Sequence, residues 1–492
     1  MQFPAFVGGS YQSQAYTADQ ERTVNWYVER IEAPGGSSRS ALYPTPGVET
    51  IVTATTQPGR GHFFENDREF TVCGNTLYEI GQFGTLSSRG TVAIDGNPAT
   101  ICSNGDGGGQ LFVTSGGNGY VYDLTANTLT QIAALNGKAT MGDFLDGYFL
   151  CLNASNSTFY ISALLDGTSW ATGTDFAQRS TASDPWVSMK VTGRYVWLLG
   201  EVTSEVWYDT GASPFPFAAH PSGLVQYGIA APFSVARIEG ALVWLGSSGI
   251  GNSYVLRAPG FAPEVVSNYA LQSVLAGYIR VSDAVADTYN DLGHTFYVIS
   301  FPGQNATWAW DAQTGDWAER GTWNVANNRF DAWSPRFHSL AFGEHRILDS
   351  ASGGVYRLSS TLMADAGGAL IRRVRRAPAL TAENERIFYS AFELDLEPGV
   401  GAAAGNAQDV DPQVMMRMSN DGGKTWGAEM MRSAGKIGEY KKRVRWNRLG
   451  AARRRVFEVS VTAAVPWRIT NAFLTLGQSI RSLKGQQQQA QQ

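Results

Sequence analysis

The most specific motif in the chain is an eight-residue segment, Ser-Asn-Asp-Gly-Gly-Lys-Thr-Trp, at residues 419–426. It matches the Asp-box pattern Ser-x-Asp-x-Gly-x-Thr-Trp at every defined position. In such a turn the Asp side chain bonds the turn backbone, a Gly adopts positive φ, and the Trp packs beneath. We interpret the five defined positions as a structural hairpin turn; they are Ser419, Asp421, Gly423, Thr425 and Trp426.

The Asp box also occurs in sialidases, which raises the question of glycoside hydrolysis. A sialidase-like site needs several arginines on one carboxylate, and the chain offers a cluster at Arg372, Arg373, Arg375 and Arg376. Adjacent residues of a strand face opposite sides, so these four cannot all bind one group. Glycosidic cleavage also needs two neighbouring carboxylates, and none are singled out by the sequence. We predict no enzymatic activity, with a glycan-binding or glycan-hydrolysing propeller as the alternative.

Other catalytic patterns are weaker still. The five histidines, at 62, 220, 294, 338 and 345, show no HExxH motif and no close pairing. The Gly-rich segment 103–110 lacks the Lys-Ser/Thr pair of a phosphate-binding loop and leads into a strand. Three cysteines are too few for a disulfide framework. The sequence therefore predicts no catalytic residue, no metal and no cofactor.

The densest positive charge lies in the segment 441–455. It can be a solvated hairpin whose Arg stems cover apolar surface, an interface strip, since Arg and Trp are enriched at binding hot spots, or a phosphate contact. The candidate interface residues are Arg443, Arg445, Trp446, Arg448, Arg453 and Arg454.

The elements that must position these residues are β-hairpins. A short apolar run, a Gly, Asn or Ser turn and an aromatic-rich run recur along residues 51–365, each copy typical of two paired strands. A period of roughly 40–50 residues predicts a β-propeller of six or seven blades; the alternative is unrelated hairpins in stacked sandwiches. One aromatic residue marks each copy: Tyr78, Tyr122, Tyr160, Tyr208, Tyr254, Trp310 and Tyr356.

Charge and pattern both change near residue 365. Residues 1–365 carry 18 Lys+Arg and 32 Asp+Glu, a net of −14, whereas residues 366–492 carry 20 and 11, a net of +9. In 388–396 apolar residues alternate with Glu393 and Asp395, which predicts half-buried strands of a second β domain. We therefore predict an all-β chain. Its parts are an extended docking segment at 1–50, a β-propeller at 51–365, a β-sandwich-like domain at 366–480 and a Gln-rich tail at 481–492.

We expect neither an export signal nor a membrane span. Its first residues have no basic start followed by an apolar run, so we expect no secretory signal. No stretch approaches ~18 apolar residues, so we expect no membrane span. An acidic body does not favour tight binding of nucleic acid, because duplex affinity depends on neutralised phosphates.

Both ends of the chain resemble one family. The C-terminal basic segment follows an Arg-Val-x-Trp-x-Arg-Leu-Gly-x-x-Arg-Arg pattern at 443–454 and precedes two final strands. The N-terminal end carries Thr-Val-Asn-Trp-Tyr at 23–27 and Tyr-Pro-Thr-Pro-Gly-Val at 43–48. In these features the chain is similar to the packaged-DNA stabilisation, or tail-hub (nozzle), proteins of short-tailed bacteriophages. The Asp box and the Gln-rich tail lie outside that pattern.

The resemblance implies a structural virion protein. Members form a hexameric ring beneath the head–tail adaptor, retain packaged DNA, provide its exit channel, and carry or contact the tail spikes or fibres and the needle. It implies assembly in the host cytoplasm, double-stranded DNA passing non-specifically, and an interface role for the basic strip. An ordinary intracellular scaffold propeller is a further alternative, which gene neighbourhood would distinguish.

Overall fold

The recurring hairpins fold as seven small antiparallel sheets in the computed structural model, which describes residues 1–16, 18–32, 39–247, 251, 253–382 and 385–477. We number these sheets as blades 1 to 7 along the chain. The strands of blades 1 to 4 are Gly59–Glu65, Arg68–Cys73, Thr76–Ile80 and Leu86–Thr91; Thr100–Ser103, Gln110–Ser115, Asn118–Asp123 and Thr128–Gln131; Met141–Leu145, Tyr148–Asn153, Thr158–Ile161 and Phe176–Gln178; and Trp186–Thr192, Tyr195–Gly200, Ser204–Asp209 and Phe217–Val225.

Blades 5 to 7 complete the ring. Their strands are Gly228–Ile229 with Ala236–Ile238, Ala241–Ser247, Ser253–Ala258 and Glu264–Val265; Val285–Asp291, His294–Phe301, Ala306–Asp311 and Trp317–Asn324, with Arg329–Ala332 beside the last; and Pro335–Ala341, Glu344–Asp349, Gly354–Ser359 and Gly47–Thr53. The outer strand of blade 7 thus comes from the N-terminal part of the chain and pairs antiparallel with Gly354–Ser359. Blade 7 lies beside blade 1, so this strand closes the propeller.

The aromatic markers of the sequence fall on equivalent strands. Each of the seven lies on the third strand of its blade, for example Tyr122 in blade 2 and Trp310 in blade 6. These strands are buried on both faces in blades 2, 3 and 6, and aromatic side chains fit such a pleated, packed surface. The all-β propeller is confirmed, and the described residues form seven blades.

Tight turns connect the first two strands of most blades. In blade 3 the turn residues Asp146 and Gly147 have φ of 47° and 92°, and in blade 6 Leu292 and Gly293 have 49° and 87°. Two consecutive positive φ angles give the mirror-image turn whose twist matches that of a two-stranded ribbon. The glycine is required because a side chain at that conformation is strained.

The C-terminal residues form two sheets packed face to face, with contributions from the N-terminus. The first sheet contains Trp26–Arg30, Ser40–Pro44, Ile469–Leu476, Ile387–Leu396 and Val444–Asn447, with Ala451–Ala452 beside it. The second contains Gln20–Val24, Arg373–Arg376, Arg454–Val461, Gln413–Ser419 and Met430–Ser433, with Tyr11–Gln12 and Leu380–Thr381 beside it. Phe392 and Phe457 stack across the two sheets with ring centroids 4.9 Å apart. The predicted β-sandwich is confirmed.

One strand of the sandwich departs from the predicted alternation. Phe392, Leu394 and Leu396 are buried as expected, but Ser390 is exposed and Tyr389, not Phe388, is buried in the core. The cause is a register shift between Tyr389 and Ala391 in the pairing with Ile469–Leu476. One extra residue in a strand moves every preceding side chain to the opposite face.

The propeller and the sandwich share a continuous sheet. The strand Gln20–Val24 pairs on one side with Arg373–Arg376 and on the other with the last strand of blade 6, through Val24 and Glu319. His294 of blade 6 reinforces this junction, because its Nδ1 lies 2.7 Å from Asp311 Oδ2 and its Nε2 lies 2.9 Å from Glu29 Oε2 of the first sandwich sheet. These two hydrogen bonds raise the pKa of His294 to about 9. The bond to Asp311 has the larger effect.

Helices are short and peripheral. The α-helices are Gly105–Gly108, Tyr269–Ala276 and Ala407–Val410, and the 3-10 turns are Ala133–Leu135, Pro302–Gln304 and Ala366–Gly368; a two-stranded ribbon joins Ala364–Asp365 to Ala369–Leu370. Across the described ranges, no helix is long and apolar enough to cross a bilayer. The predicted Gln-rich tail at 481–492 lies outside the described residues.

Candidate functional site

The Asp box forms a self-contained turn after the strand Gln413–Ser419. Asp421 accepts hydrogen bonds from the backbone N–H groups of Lys424 and Thr425 at 2.9 and 3.0 Å, and from the Thr425 hydroxyl at 2.6 Å. The Ser419 hydroxyl donates to Asp421 at 2.6 Å and accepts from the Gly423 N–H at 2.8 Å. These bonds, first those from Ser419 and Thr425, hold the pKa of Asp421 far below its usual value.

Two consecutive glycines allow the backbone conformation of the turn. Gly422 and Gly423 have φ of 80° and 102°, where other residues are strained. A Cβ on Gly422 would lie 3.0 Å from the Tyr16 carbonyl oxygen. The polar groups of the box therefore bond within the turn itself.

Trp426 of the box packs against two guanidinium groups. The Arg376 and Arg417 Cζ atoms are each 4.8 Å from its ring centroid. Both arginines also pair with Glu458, Arg376 at 2.8 Å, on the neighbouring strand. Trp426 is thus held by two cation–π contacts on the outer face of the second sheet.

Three of the four clustered arginines pair with different carboxylates. Arg372 pairs with Glu429, and Arg376 pairs with Glu458. Arg375 is fully buried; it donates to the carbonyls of Phe6 (2.6 Å) and Gly9 (2.9 Å) and pairs with Glu21. Burial lowers the pKa of Arg375. The hydrogen bonds to the carbonyl groups offset the cost of burying the guanidinium, and they fix the N-terminal segment against the sandwich.

The candidate interface residues separate into an exposed and a buried group. Arg443, Arg448 and Arg453 are exposed and Arg445 is half-exposed; we call these four the basic strip. The strip follows Val444–Asn447, the edge strand of the first sheet, and its continuation. Arg443 donates to both Glu393 oxygens at 2.6 Å, whereas Arg448 and Arg453 have no side-chain partner within the described part of the chain.

Two of the six candidate interface residues make their main contacts within the chain. Trp446 is completely buried, donates from Nε1 to the Met430 carbonyl at 2.9 Å, and packs on Phe392. Arg454 is partly buried beside the Asp box, where its backbone bridges Asp421. A surface that meets a partner at this edge is therefore built from the basic strip, with exposed apolar side chains nearby at Ile437 and Tyr440.

The structure assembles a second group of residues that the sequence patterns did not reveal. A cavity of about 360 Å³ lies on the propeller axis and is lined by residues of, or next to, the first strand of every blade. Blade 2 contributes Thr100 and Cys102, and each other blade contributes one titratable side chain: His62, Asp143, Lys190, Arg237, Asp287 and His338.

Three of the five histidines meet at this axis, contrary to the sequence expectation of no close pairing. His338 Nε2 lies 2.9 Å from His345 Nδ1, and the rings are stacked. His62 lies within 2.8 Å of Glu69 Oε1 and the Phe337 carbonyl. Burial lowers the pKa of His338 to about 3, aided by the neighbouring histidines, so its ring is neutral near pH 7. His62 comes from blade 1, whereas His338 and His345 lie on neighbouring strands of blade 7, so the meeting of the first with the other two depends on closure of the ring.

The charged groups of the axis are unequally satisfied. The Arg237 Nη2 atom lies 2.8 and 3.0 Å from the two Asp143 oxygens, and Asp143 also accepts the Val191 N–H at 2.8 Å. Asp287 accepts the backbone N–H groups of Thr288 and His338, and burial raises its pKa to about 6. Among the described residues, no cluster of three His, Cys, Asp or Glu side chains is arranged to hold a metal ion.

Comparisons with known proteins agree with this architecture. A family model described as bacteriophage P22 Gp10, beta-propeller, matches residues 1–363. A second, described as bacteriophage P22 Gp10, beta-sandwich, matches residues 372–477. No curated protein matches the chain.

Several solved structures share part of the fold at low identity. The N-terminal domain of Nup159 is 11% identical with a TM-score of 0.40, covering 69% of this chain and 98% of that one. PorZ, from the type-IX secretion system of Porphyromonas gingivalis, is 11% identical with a TM-score of 0.37, covering 70% of this chain and 44% of that one. A streptogramin B lyase is 11% identical with a TM-score of 0.37, covering 68% and 98%.

Proposed function

This chain belongs to the bacteriophage P22 Gp10 family, whose members are structural phage tail proteins, and we propose that it is the tail hub, or nozzle, of a short-tailed phage. The resemblance stated from the two ends of the chain is confirmed. As a tail hub, the protein forms a hexameric ring beneath the head–tail adaptor. The ring retains the packaged DNA and provides the channel through which the DNA leaves.

The observation that carries the proposal is the extent of the family match. The two matched ranges, 1–363 and 372–477, follow one another in the order propeller then sandwich and leave few residues unmatched before 478. A shared propeller alone would support many functions, because propellers carry unrelated activities. The family match also covers the sandwich, which contains the basic strip. The likeness therefore includes the surface that we assign to assembly.

We propose that the basic strip contacts the propeller of the next copy in the ring. Residues 1–365 carry a net charge of −14 and residues 366–492 one of +9, so opposite charges meet when copies associate head to tail. Such a heterologous contact generates a ring when the rotation closes. Arg448 and Arg453 are the strongest candidates within the strip, since no described side chain neutralises them, whereas Arg443 is already held by Glu393.

Charge on an edge strand also has a simpler use. Lys and Arg on exposed edges prevent unwanted strand pairing between copies. This effect requires only that the strip be charged and solvated, whereas docking requires that its charge be positive. Reversal of the sign therefore distinguishes the two roles.

The acidic body suits a DNA channel. A wall of negative charge repels phosphates, so a duplex can move past without the tight contacts that neutralised phosphates give. The adaptor above and the spikes, fibres and needle below complete the proposed set of partners. The protein then acts without catalysis, in the virion, after assembly in the host cytoplasm.

The direct test is the oligomeric state of the purified full chain, alone and with its adaptor protein. Mass photometry and negative-stain images are expected to show six-fold rings, at least when the adaptor is present. A monomer under every condition would refute the ring. Binding to a glycan array by a monomer would instead support the alternative function.

A further inference from the structure

The axial cavity contains an unusual lysine. Residues 1–365 include two lysines, Lys138 and Lys190, and one of them lines this cavity. Lys190 lies on the first strand of blade 4 and is partly buried. Among the described residues, no hydrogen-bond acceptor or carboxylate lies within bonding distance of its ammonium group. An ammonium group that lines a cavity without a partner from the protein keeps its donors for a solute that enters the cavity.

The neighbouring carboxylates do not provide the missing partner. Asp143 is saturated by Arg237 and two backbone N–H groups. Asp287 is engaged by the N–H groups of Thr288 and His338. Burial and then the nearby positive charge of Arg237 lower the pKa of Lys190, and the smaller opposing effects of Asp143 and Asp287 do not reverse this. Lys190 therefore keeps three donors that face the cavity without an acceptor.

Arg237 adds a second set of donors at the mouth of the cavity. Its side chain is 49% exposed, and its Nη2 and Nε atoms bond Asp143 and the Val191 carbonyl. Its Nη1 atom has no described acceptor. Lys190 and Arg237, on adjacent blades, thus both present N–H donors that no described protein group accepts.

We propose that the axial cavity binds a small oxyanion, a phosphate or a carboxylate of metabolite size, through the Lys190 ammonium and the Arg237 guanidinium. A volume of about 360 Å³ is at the lower end of the ~300–1,000 Å³ range of small-molecule sites. Charge-assisted hydrogen bonds to a cation pair are the interactions that such anions prefer. This site is independent of the proposed ring, because each propeller contains it complete.

The test uses the full-length wild-type protein, Lys190→Met and the matched control Lys138→Met. Isothermal titration with inorganic phosphate and, separately, with citrate measures binding, and thermal unfolding measures stability in each anion. We expect at least one anion to bind wild type and Lys138→Met equally. Lys190→Met should bind that anion at least about tenfold more weakly, because a charged hydrogen bond is lost.

Folding of the variant is checked without anion. Lys190→Met removes an unpaired charge, so it should unfold at the same temperature as wild type or higher, and only the anion-induced increase should disappear. A second measurement does not need the variant: phosphate should protect Lys190, but not Lys138, from acetylation followed by mass spectrometry.

Three outcomes would overturn the proposal. Wild-type protein that binds neither phosphate nor citrate has no oxyanion site of this kind. Equal binding by Lys190→Met places the anion elsewhere. A Lys190→Met protein that is less stable without anion shows that the ammonium is satisfied by the fold itself. Ring formation is measured separately, so failure here leaves the assembly proposal standing.

Discussion

The junction between propeller and sandwich should be sensitive to pH through one residue, His294. Its imidazole bridges Asp311 of blade 6 and Glu29 of the sandwich, and 7% of its side chain is exposed. Replacement by Gln keeps a polar group of similar reach but cannot carry the positive charge. The variant His294→Gln therefore removes the charge from the junction with little change in volume.

The size of the effect follows from the two pKa values. The pKa is about 6.5 in the unfolded chain and about 9 in the folded protein. The raised pKa stabilises the folded state by about 3 kcal/mol below pH 6, where His294 is charged in both states. This stabilisation falls as pH rises, more than half of it is lost by pH 8, and little remains above pH 9.

The assay is urea unfolding followed by Trp fluorescence between pH 6 and pH 10. The difference in stability between wild type and His294→Gln should be largest at pH 6 and should shrink towards zero near pH 9.5, whereas contributions of other groups cancel in the difference. His220→Gln, which removes a histidine packed against Tyr195 and Phe261 away from the junction, is the matched control for loss of an imidazole. A pH-independent difference for His294→Gln would refute the reasoning.

Two further predictions concern the sandwich. The double variant Arg445→Glu/Arg448→Glu should prevent ring assembly while circular dichroism and thermal unfolding of the monomer stay close to wild type; the control Arg194→Glu/Arg280→Glu, with the same change of net charge on the propeller, should still assemble. Equal loss of assembly in the two double variants would show that net charge alone is responsible. Normal assembly of Arg445→Glu/Arg448→Glu would show that the basic strip is not part of the interface. Asp421→Ala should lower the free energy of unfolding by about 1–2 kcal/mol, as for a lost cap, and an unchanged urea midpoint would show that the turn does not depend on it.

Much of the fold was predictable because it is repeated. The marker Tyr122 lies on the third strand of its blade, and so does Trp310 four repeats away in the chain, so one local pattern marked a strand of every blade and predicted six or seven of them. What the repeat could not show is closure, since Gly47–Thr53 pairs with Gly354–Ser359 across 300 residues of chain. Long-range pairing of this kind depends on the complete ring and leaves no mark in either segment.

The candidate sites were less predictable, for two physical reasons. Trp446 sits in a basic run, yet alternation along an edge strand places its side chain in the core while Arg445 faces outward. The axial residues share a regular spacing in the sequence. Asp143, Lys190, Arg237, Asp287 and His338 follow one another at 47, 47, 50 and 51 residues, which is the blade period itself. Titratable side chains that recur at the period of a propeller mark its axis.

The measurement that tests the tail-hub assignment most directly is an electron cryo-microscopy image of the assembled phage tail. We predict six copies of this chain in a ring below the adaptor, with a DNA channel at the centre and the sandwich of each copy against the propeller of the next. A tail in which this protein is absent, or present only as peripheral single copies away from the DNA channel, would contradict the account.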